Sequence, residues 1–407
     1  MSKSVRLPKR RVVPTPMPLK TDAYTVGSST FQSDMAKEKS VYYGVHRKSP
    51  QTFLPGIDND DRIVVVGLQR AIERTLYDAL TQGELDSAID SLKTFKATSE
   101  GLKPYDFPRE LWETVVKDYN GRPPICINAV PEGSVVYPHE PFVQVSCEVP
   151  GMGELAAWFE CRILNTYSMT ERTTRNEHFL LRIKEMIKTV DPSMPEDTLD
   201  FISRNMLIDF SDRASVNEHE SEDLGLAHLY TFPGTDNLPG HYQAYIASNE
   251  VGQGCSILAL AHRNVQAHET EEACFKALYS SMNNGDLASY VADCNDYYEA
   301  VTNHLIPLIR ESKVSGNKKK VVIRPDSGDV VEQVLWTLSK LREHGLVNTR
   351  IIDGKMWEYT PYSGIILADG LDFYAMMNIQ FLAKFLEFLH IKLDSTIIVS
   401  YLIDFLE

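Results

Sequence analysis

The sharpest chemical signal in the sequence is Arg324-Pro-Asp326-Ser-Gly-Asp329, which places a guanidinium beside two carboxylates. Arginine binds a phosphate or carbonyl through its planar fork, and aspartate accepts hydrogen bonds from ribose hydroxyls. The same segment could instead join a strand to a helix, with Asp329 as the helix cap and Arg324 in a structural ion pair. The segment alone favours neither interpretation.

A histidine and an aspartate follow two other apolar runs. His262 follows residues 257–261, and Asp293 follows residues 290–292. Asp293 could orient the His262 imidazole, as carboxylates commonly do for catalytic histidines. A lone histidine at such a position is more often a structural residue. The contact between His262 and Asp293 is therefore a hypothesis about their positions in the folded protein.

Four further residues stand in similar polar clusters. Phe210 and Arg213 flank a polar turn and could hold a flat ring and its phosphate, although Phe210 could equally belong to the core. Asp236 and Asp369 could bind a ligand, although an aspartate in such a short polar segment more often belongs to a turn than to a site. The sequence has no HExxH motif, no paired cysteines and no Walker A or GxGxxG loop, so no metal site is predicted.

The elements that must position these side chains follow one pattern from about residue 205 onward. An apolar run ends in a polar cluster, and a helical segment follows. The clearest helix begins after Asp329 and ends at Gly345. Because functional groups lie at strand ends in parallel α/β sheets and barrels, six such clusters favour a barrel-like α/β domain. The apolar runs are 206–208, 229–232, 257–261, 290–292, 321–323 and 365–367.

The preceding part of the chain mixes strand-like runs with turn signals and then becomes helical over residues 152–190. The expected strands are 63–66, 125–129 and 142–147. The predicted organisation is a flexible basic tail (1–17), an N-terminal α+β domain with connecting helices (18–185), a barrel-like catalytic domain (186–380) and a divergent apolar tail (381–407).

Composition excludes several classes of function. A net charge of −15 over 407 residues argues against non-specific nucleic-acid binding, which needs a basic surface. The six cysteines lack CxxC spacing and are expected to be reduced thiols. No apolar run approaches the roughly 18 residues of a membrane helix, and no secretory signal is evident. We therefore expect a cytoplasmic protein without membrane or nucleic-acid partners.

The order of the motifs along the chain resembles that of the nicotinamide phosphoribosyltransferase family. The motifs are Leu-Lys-Thr-Asp-Ala-Tyr (19–24), Val-Pro-Glu-Gly-Ser-Val (130–135), Asp-Phe-Ser-Asp-Arg (209–213), Ala-His-Leu (227–229), Gly-Thr-Asp (234–236), Ala-His (261–262), Ile-Arg-Pro-Asp-Ser-Gly (323–328) and Ala-Asp-Gly-Leu-Asp (368–372). The resemblance implies a type II phosphoribosyltransferase fold. In it, an irregular (β/α) barrel-like domain joins a mainly β or α+β domain, formed here by the N-terminal part.

The resemblance also implies an activity. The enzyme would transfer a phosphoribosyl group from phosphoribosyl pyrophosphate to nicotinamide, giving nicotinamide mononucleotide and pyrophosphate in NAD salvage. Mg²⁺ would accompany the pyrophosphate, and ATP would be an optional activator. The active sites would be shared across the interface of a homodimer.

Family roles transfer first to the residues that would bind the base and the phosphate. Phe210 would stack on one face of nicotinamide, and Tyr24 of the partner subunit would cover the other. Asp236 would accept from the carboxamide nitrogen, which favours nicotinamide over anionic nicotinate. Arg213 and Arg324 would hold the base and the phosphate-bearing ligand.

The remaining implied roles concern the ribose, the phosphate and ATP. Asp326 and Asp369 would hold ribose hydroxyls, and Arg47 would reach phosphate across the dimer. His262 would be the histidine that ATP phosphorylates, with Asp293 as its carboxylate partner.

The sequence departs from the family at several positions. Ile208 replaces a histidine, Ser211-Asp212 replaces a glycine and an aromatic residue, and Ala368 replaces a glycine. No glycine follows Gly370, where the family has a phosphate-binding Gly-Gly loop. Residues 381–407 could be a truncated or frame-shifted ending, or a helix and strand that close the barrel differently. The alternatives are therefore an impaired or truncated relative that only binds or dimerises, and a nicotinate phosphoribosyltransferase.

Overall fold

The computed structural model describes residues 14–29, 31–52, 60–95, 107–190, 192–248, 254–352, 355–366 and 392–393. These residues form two compact units. The first contains the described residues up to Thr52 and those from Asp60 to Glu171, and the second contains the described residues from Arg172 onward. The predicted tails 1–17 and 381–407 lie largely outside the described residues.

The first unit combines two small antiparallel sheets with short helices. Its strands are β1 (Ser40–Val45), β2 (Ile63–Val65), β3 (Cys126–Ala129), β4 (Ser134–Val136) and β5 (Pro141–Cys147). One sheet has the order β1-β5-β3, and β2 pairs with β4. The helices are α1 (Ala23–Ser28), α2 (Asp34–Glu38), α3 (Leu68–Leu76), α4 (Gln82–Leu92), α5 (Arg109–Asp118), α6 (Leu155–Trp158), α7 (Glu160–Leu164) and α8 (Tyr167–Val190), which contains the boundary between the units.

The core of this unit combines buried apolar residues of β2, β4 and β5 with buried residues of the helices. Trp112 and Trp158 are fully buried and pack edge to face, with ring centroids 5.4 Å apart. The Trp158 indole N–H donates to the Pro18 carbonyl oxygen at 2.8 Å, which satisfies its polar atom. The three predicted strands are confirmed to within one residue, and the helical prediction over 152–190 is confirmed as three consecutive helices.

The Pro-Glu-Gly turn caps a helix. The Glu132 carboxylate accepts from the backbone N–H groups of Gly67 at 2.6 Å and Gln69 at 2.8 Å, at the start of α3. An acidic group there satisfies N–H groups that lack helical partners and faces the positive end of the helix dipole. Gly133 has a φ of 81° and donates to the Val65 carbonyl oxygen. This motif is therefore structural in the first unit.

The second unit is built on a parallel sheet with the strand order β13-β10-β9-β8. Its strands are β6 (Ile208–Asp209), β7 (Gly234–Thr235), β8 (Leu258–Ala259), β9 (Leu287–Val291), β10 (Lys320–Arg324), β11 (Asn348–Ile352), β12 (Lys355–Tyr359), β13 (Ser363–Ile365) and β14 (Lys392–Leu393). Strands β6 and β7 form a separate parallel pair, and Gly234 also bridges to Cys255 in parallel. Strands β11 and β12 form an antiparallel pair that the sequence patterns did not predict.

Helices connect the parallel strands, because two parallel strands can be joined only by a long crossover connection. They are α9 (Glu196–Arg204), α10 (Glu218–Leu229), α11 (Leu238–Ala247), α12 (His262–Gln266), α13 (Glu271–Ser281), α14 (Tyr297–Glu299), a π-helical turn (Ala300–Leu305), α15 (Ile306–Ser315) and α16 (Val330–Glu343). The predicted helix after Asp329 is confirmed, because this side chain accepts from the Glu332 N–H at 2.9 Å and Gly345 follows the helix with a φ of 64°. The capping interpretation of Asp329 is thus correct.

Five of the six apolar runs overlap strands, but the prediction for 229–232 is wrong. Helix α10 continues to Leu229, and the N–H groups of Thr231 and Phe232 both donate to the His228 carbonyl oxygen. Phe232 is fully buried and stacks on the His228 ring, so it is apolar because it ends a helix inside the core. The strand is the short pair Gly234–Thr235. Within the described residues, no helix is both long and apolar enough to cross a membrane.

Candidate active site

Three predicted residues meet where three adjacent parallel strands end. His262 follows β8, Asp293 follows β9 and Asp326 follows β10. The His262 Nε2 atom lies 3.3 Å from Asp293 Oδ1, and His262 Nδ1 lies 3.7 Å from Asp326 Oδ2. The sheet register sets this convergence, because Val291 pairs with Arg324 and the Leu260 N–H donates to the Ser289 carbonyl oxygen. We call His262, Asp293 and Asp326 the sheet-edge cluster.

The carboxylate of Asp293 is held on both sides. Its side chain is only 8% exposed, whereas that of His262 is 42% exposed. The second oxygen, Oδ2, accepts from the Ser327 hydroxyl at 2.5 Å. Sequence reasoning did not single out Ser327, although its place between Asp326 and Gly328 in the most specific motif was an available signal.

Arg324 is buried and braces the same edge. Its Nη2 atom donates to the Leu260 carbonyl oxygen at 2.7 Å, and its Nε atom lies 3.7 Å from Asp326 Oδ1. Leu260 stands two residues before His262, so the guanidinium links the strand end that carries the histidine to the one that carries the aspartate. The structural ion pair proposed from the sequence is present, and the same group borders the sheet-edge cluster.

A second group of predicted residues follows β6 and β7. Phe210 is half-buried, whereas Arg213 and Asp236 are exposed. The Asp236 N–H donates to the Asp209 carbonyl oxygen at 2.8 Å, which joins the two strand ends. We call Phe210, Arg213 and Asp236 the base-side cluster.

Two serines act on this region. The Ser256 hydroxyl donates a short hydrogen bond to Asp236 Oδ1, and sequence reasoning missed it because nothing in its local sequence is distinctive. The Ser221 hydroxyl donates to Asp212 Oδ1 at 2.7 Å. The additional carboxylate of Asp212 is therefore tied to helix α10.

The other predicted residues are placed differently. Tyr24, in α1, is 63% exposed, and Arg47, just after β1, is also exposed; both belong to the first unit. Exposure is required of side chains that are predicted to reach a partner subunit. Asp369 lies outside the described residues. Among the residues that the structure describes, no group of three or more His, Cys, Asp or Glu side chains could hold a metal ion.

Comparison with known proteins shows which proteins this chain is similar to. Residues 206–388, which carry both clusters, match the nicotinate phosphoribosyltransferase (NAPRTase) family. A nicotinamide phosphoribosyltransferase of Xanthomonas campestris pv. campestris (strain 8004) is 26% identical over 324 residues, or 77% of this chain and 64% of that protein. Both similarities are to phosphoribosyltransferases of pyridine bases. A second relative of the same name, from Acinetobacter baylyi, is 26% identical over 68% of this chain and 55% of its own length.

Solved structures support the same phosphoribosyltransferase fold. Human nicotinic acid phosphoribosyltransferase matches with a TM-score of 0.55 at 15% identity, over 88% of this chain and 70% of that one. Nicotinate-nucleotide pyrophosphorylase from Pyrococcus furiosus matches with a TM-score of 0.51 at 14% identity, over 92% and 72%. The predicted fold is confirmed. The chain spans less than two thirds of the length of its two curated relatives.

Proposed function

We propose that this phosphoribosyltransferase transfers the phosphoribosyl group of phosphoribosyl pyrophosphate to nicotinamide, giving nicotinamide mononucleotide and pyrophosphate. The observation that carries the proposal is the sheet-edge cluster, in which His262, Asp293 and Asp326 converge from three strands. The two relatives named nicotinamide phosphoribosyltransferase support it. The product places the enzyme in NAD salvage.

The base-side cluster supports nicotinamide as the acceptor. Phe210 offers a ring face, and Asp236 is a carboxylate with one oxygen already engaged by Ser256. Its other oxygen can accept from a carboxamide N–H, whereas the carboxylate of nicotinate would bring two negative charges together. Tyr24 of the partner subunit would close the opposite face of the ring, and Arg213 would contact the base and its phosphate.

The reaction exchanges one bond at the anomeric carbon for another. The bond to the pyrophosphate oxygen breaks, with its electron pair leaving on that oxygen, and the pyridine nitrogen lone pair forms the new bond. Because positive charge develops on the ribose, positioning and electrostatic stabilisation supply the catalysis. Asp326 would hold the ribose hydroxyls together with Asp369, and Arg324 would face the phosphate-bearing substrate, with Arg47 reaching it across a homodimer.

Metal and nucleotide would enter with the substrates. The described residues offer no ready-made metal site, so Mg²⁺ would be carried by the pyrophosphate oxygens, which it neutralises. ATP would act as an optional activator by phosphorylating His262. Asp293 Oδ1 lies 3.3 Å from Nε2 and Asp326 Oδ2 lies 3.7 Å from Nδ1, so Nδ1 is the nitrogen with the more distant carboxylate and would take the phosphoryl group.

The deciding experiment supplies purified protein with phosphoribosyl pyrophosphate, Mg²⁺ and either nicotinamide or nicotinate, with and without ATP. We expect nicotinamide mononucleotide as the main product and loss of product in Asp326→Ala. Faster turnover of nicotinate would favour the nicotinate enzyme. A folded protein that converts neither base would overturn the proposal in favour of a relative that only binds or dimerises.

A further inference from the structure

A buried polar group lies directly behind the base-side cluster. It consists of Arg172 on α8, Asp209 on β6 and His228 on α10, and we call it the base-side anchor. The Asp209 side chain is 1% exposed, and His228 is fully buried. Burying charged and polar groups costs stability unless their contacts compensate for it, so the position of this group needs a reason.

Asp209 contacts both segments that carry base-side residues. Its Oδ1 atom accepts from Arg172 Nη2 at 3.1 Å and from the Ser211 N–H at 3.2 Å. Its own carbonyl oxygen accepts from the Asp236 N–H at 2.8 Å. One residue thus fixes the backbone on the far side of Phe210 and the backbone of Asp236. Asp209 Oδ2 has no hydrogen-bond partner in the described part of the chain, so the ion pair rests on the other oxygen.

His228 holds the segment that carries Asp236 through a hydrogen bond to the backbone of Gly234. Its Nε2 atom lies 2.9 Å from the Gly234 carbonyl oxygen, and its Nδ1 lies 3.3 Å from Asn176 Nδ2. A carbonyl oxygen only accepts, so Nε2 carries the proton and Nδ1 accepts from the amide. Burial lowers the pKa of His228 to about 4, which keeps the ring neutral and preserves this arrangement. Gly234 stands two residues before Asp236.

We infer that Arg172 and Asp209 are positioning residues that set the affinity for the pyridine base by holding Phe210 and Asp236 in place. Asp209 does not act as a ligand in this scheme, because its carboxylate is closed to solvent. The identification of the ligand as a pyridine base depends on the proposed function. The claim that the base-side anchor holds the two segments in place is independent of the proposed function.

The first test measures hydrogen–deuterium exchange in the ligand-free protein. Asp209→Ala is expected to speed exchange in the peptide covering residues 207–213, because it removes the acceptor of the Ser211 N–H and leaves Arg172 without its carboxylate. Exchange at residues 233–238 should change less, because the Asp209 carbonyl oxygen that accepts from the Asp236 N–H remains in the variant. The matched control is Ser312→Ala, which removes another buried hydrogen bond of the same unit, to Tyr279 at 2.8 Å. Unchanged exchange at residues 207–213 in Asp209→Ala would overturn the inference, even in a protein that makes no product.

The second test separates the two substrates kinetically. Asp209→Ala is expected to raise KM for nicotinamide roughly tenfold and to leave KM for phosphoribosyl pyrophosphate within about twofold, because misplaced contacts weaken only the ligand they touch. Asp209→Asn keeps an acceptor for Ser211 and should show a smaller rise. Asp209→Asn can replace the alanine variant in this test if Asp209→Ala does not fold. Arg172→Lys should be milder than Arg172→Met.

An equal rise in both KM values would reduce the anchor to a general structural role and overturn the inference. Wild-type protein without nicotinamide turnover would refute the proposed function alone, since the exchange result stands independently of the substrate.

Discussion

Asp293 holds His262 through a single ring nitrogen, with Oδ1 3.3 Å from Nε2, while its Oδ2 accepts from Ser327. The Asp293 carboxylate is nearly buried, whereas the His262 imidazole is half-exposed. Asp293 therefore holds the ring in place, and the ring remains accessible from solvent. An aspartate that accepts from Nε2–H fixes the tautomer and leaves the Nδ1 lone pair directed to the side of Asp326. This arrangement would suit the proposed phosphorylation of His262 at Nδ1, the ring nitrogen with the more distant carboxylate.

Asp293→Asn should remove most of the ATP stimulation. The amide can offer an N–H to Nε2 and so reverse the tautomer, which makes Nδ1 the protonated nitrogen. We expect at least a roughly tenfold loss of the ATP-dependent increase in rate, measured as product formed per enzyme with and without ATP. Ser327→Ala, which removes only the second contact of Asp293, should lose much less. Full ATP stimulation in Asp293→Asn would contradict this role.

Asp236→Asn should weaken the preference for nicotinamide over nicotinate. Replacing the carboxylate removes the repulsion of the acid and offers it an N–H donor. The ratio of kcat/KM for the two bases should shift by roughly tenfold, about 1.4 kcal/mol, toward nicotinate. Asp212→Asn is the matched control, because it neutralises a nearby carboxylate that is bound to Ser221. A ratio that does not move in Asp236→Asn would show that base choice is set elsewhere.

The sheet-edge cluster could be predicted because parallel strands place their following residues on one edge. His262 and Asp293 come directly after an apolar run, Asp326 follows one after two residues, and that adjacency in sequence becomes adjacency in space. Helix α16 could be predicted for a similar reason, since its cap and its terminal glycine are local signals. The helix prediction depends on signals within a few residues of each other, and the cluster prediction depends on where parallel strands end.

Other features depend on contacts that no local pattern records. The hydrogen bonds of Ser256 and Arg172 reach partners 20 and 37 residues away, and neither residue stands out in its own segment. The run at 229–232 was predicted to be a strand because its residues are apolar. A buried residue at the end of a helix, such as Phe232, gives the same apolar sequence pattern. Asp369 remains a prediction, because it lies outside the described residues.

The stability of the second unit should fall in mild acid because of His228. Its pKa is about 4 in the folded protein and near 6.5 when unfolded, so protons bind the unfolded chain more tightly. The stabilisation is present above pH 6.5 and is lost as the pH falls toward about 4, by about 3 kcal/mol in all. Denaturant unfolding followed across this range should show a steeper decline for wild type than for His228→Gln. Parallel curves for the two proteins would argue against a buried neutral histidine.

Gly240→Ala should disturb the base-side cluster through packing alone. A Cβ atom on Gly240 would lie 2.5 Å from the Gly225 Cα atom, so α10 and α11 would have to separate. Asn237, which caps α11 beside Asp236, accepts from the Gly240 N–H at 2.8 Å and would shift with it.

We expect Gly240→Ala to lower the free energy of unfolding by roughly 1–3 kcal/mol, the usual cost of overpacking, and to raise KM for nicotinamide more than KM for phosphoribosyl pyrophosphate. Gly83→Ala in α4 provides the comparison, because a Cβ atom there meets nothing within 4 Å and alanine favours helix. That variant should be neutral or slightly stabilising in denaturant unfolding. Equal stability of the two alanine variants would mean that α10 and α11 do not pack as closely as the glycine contact requires.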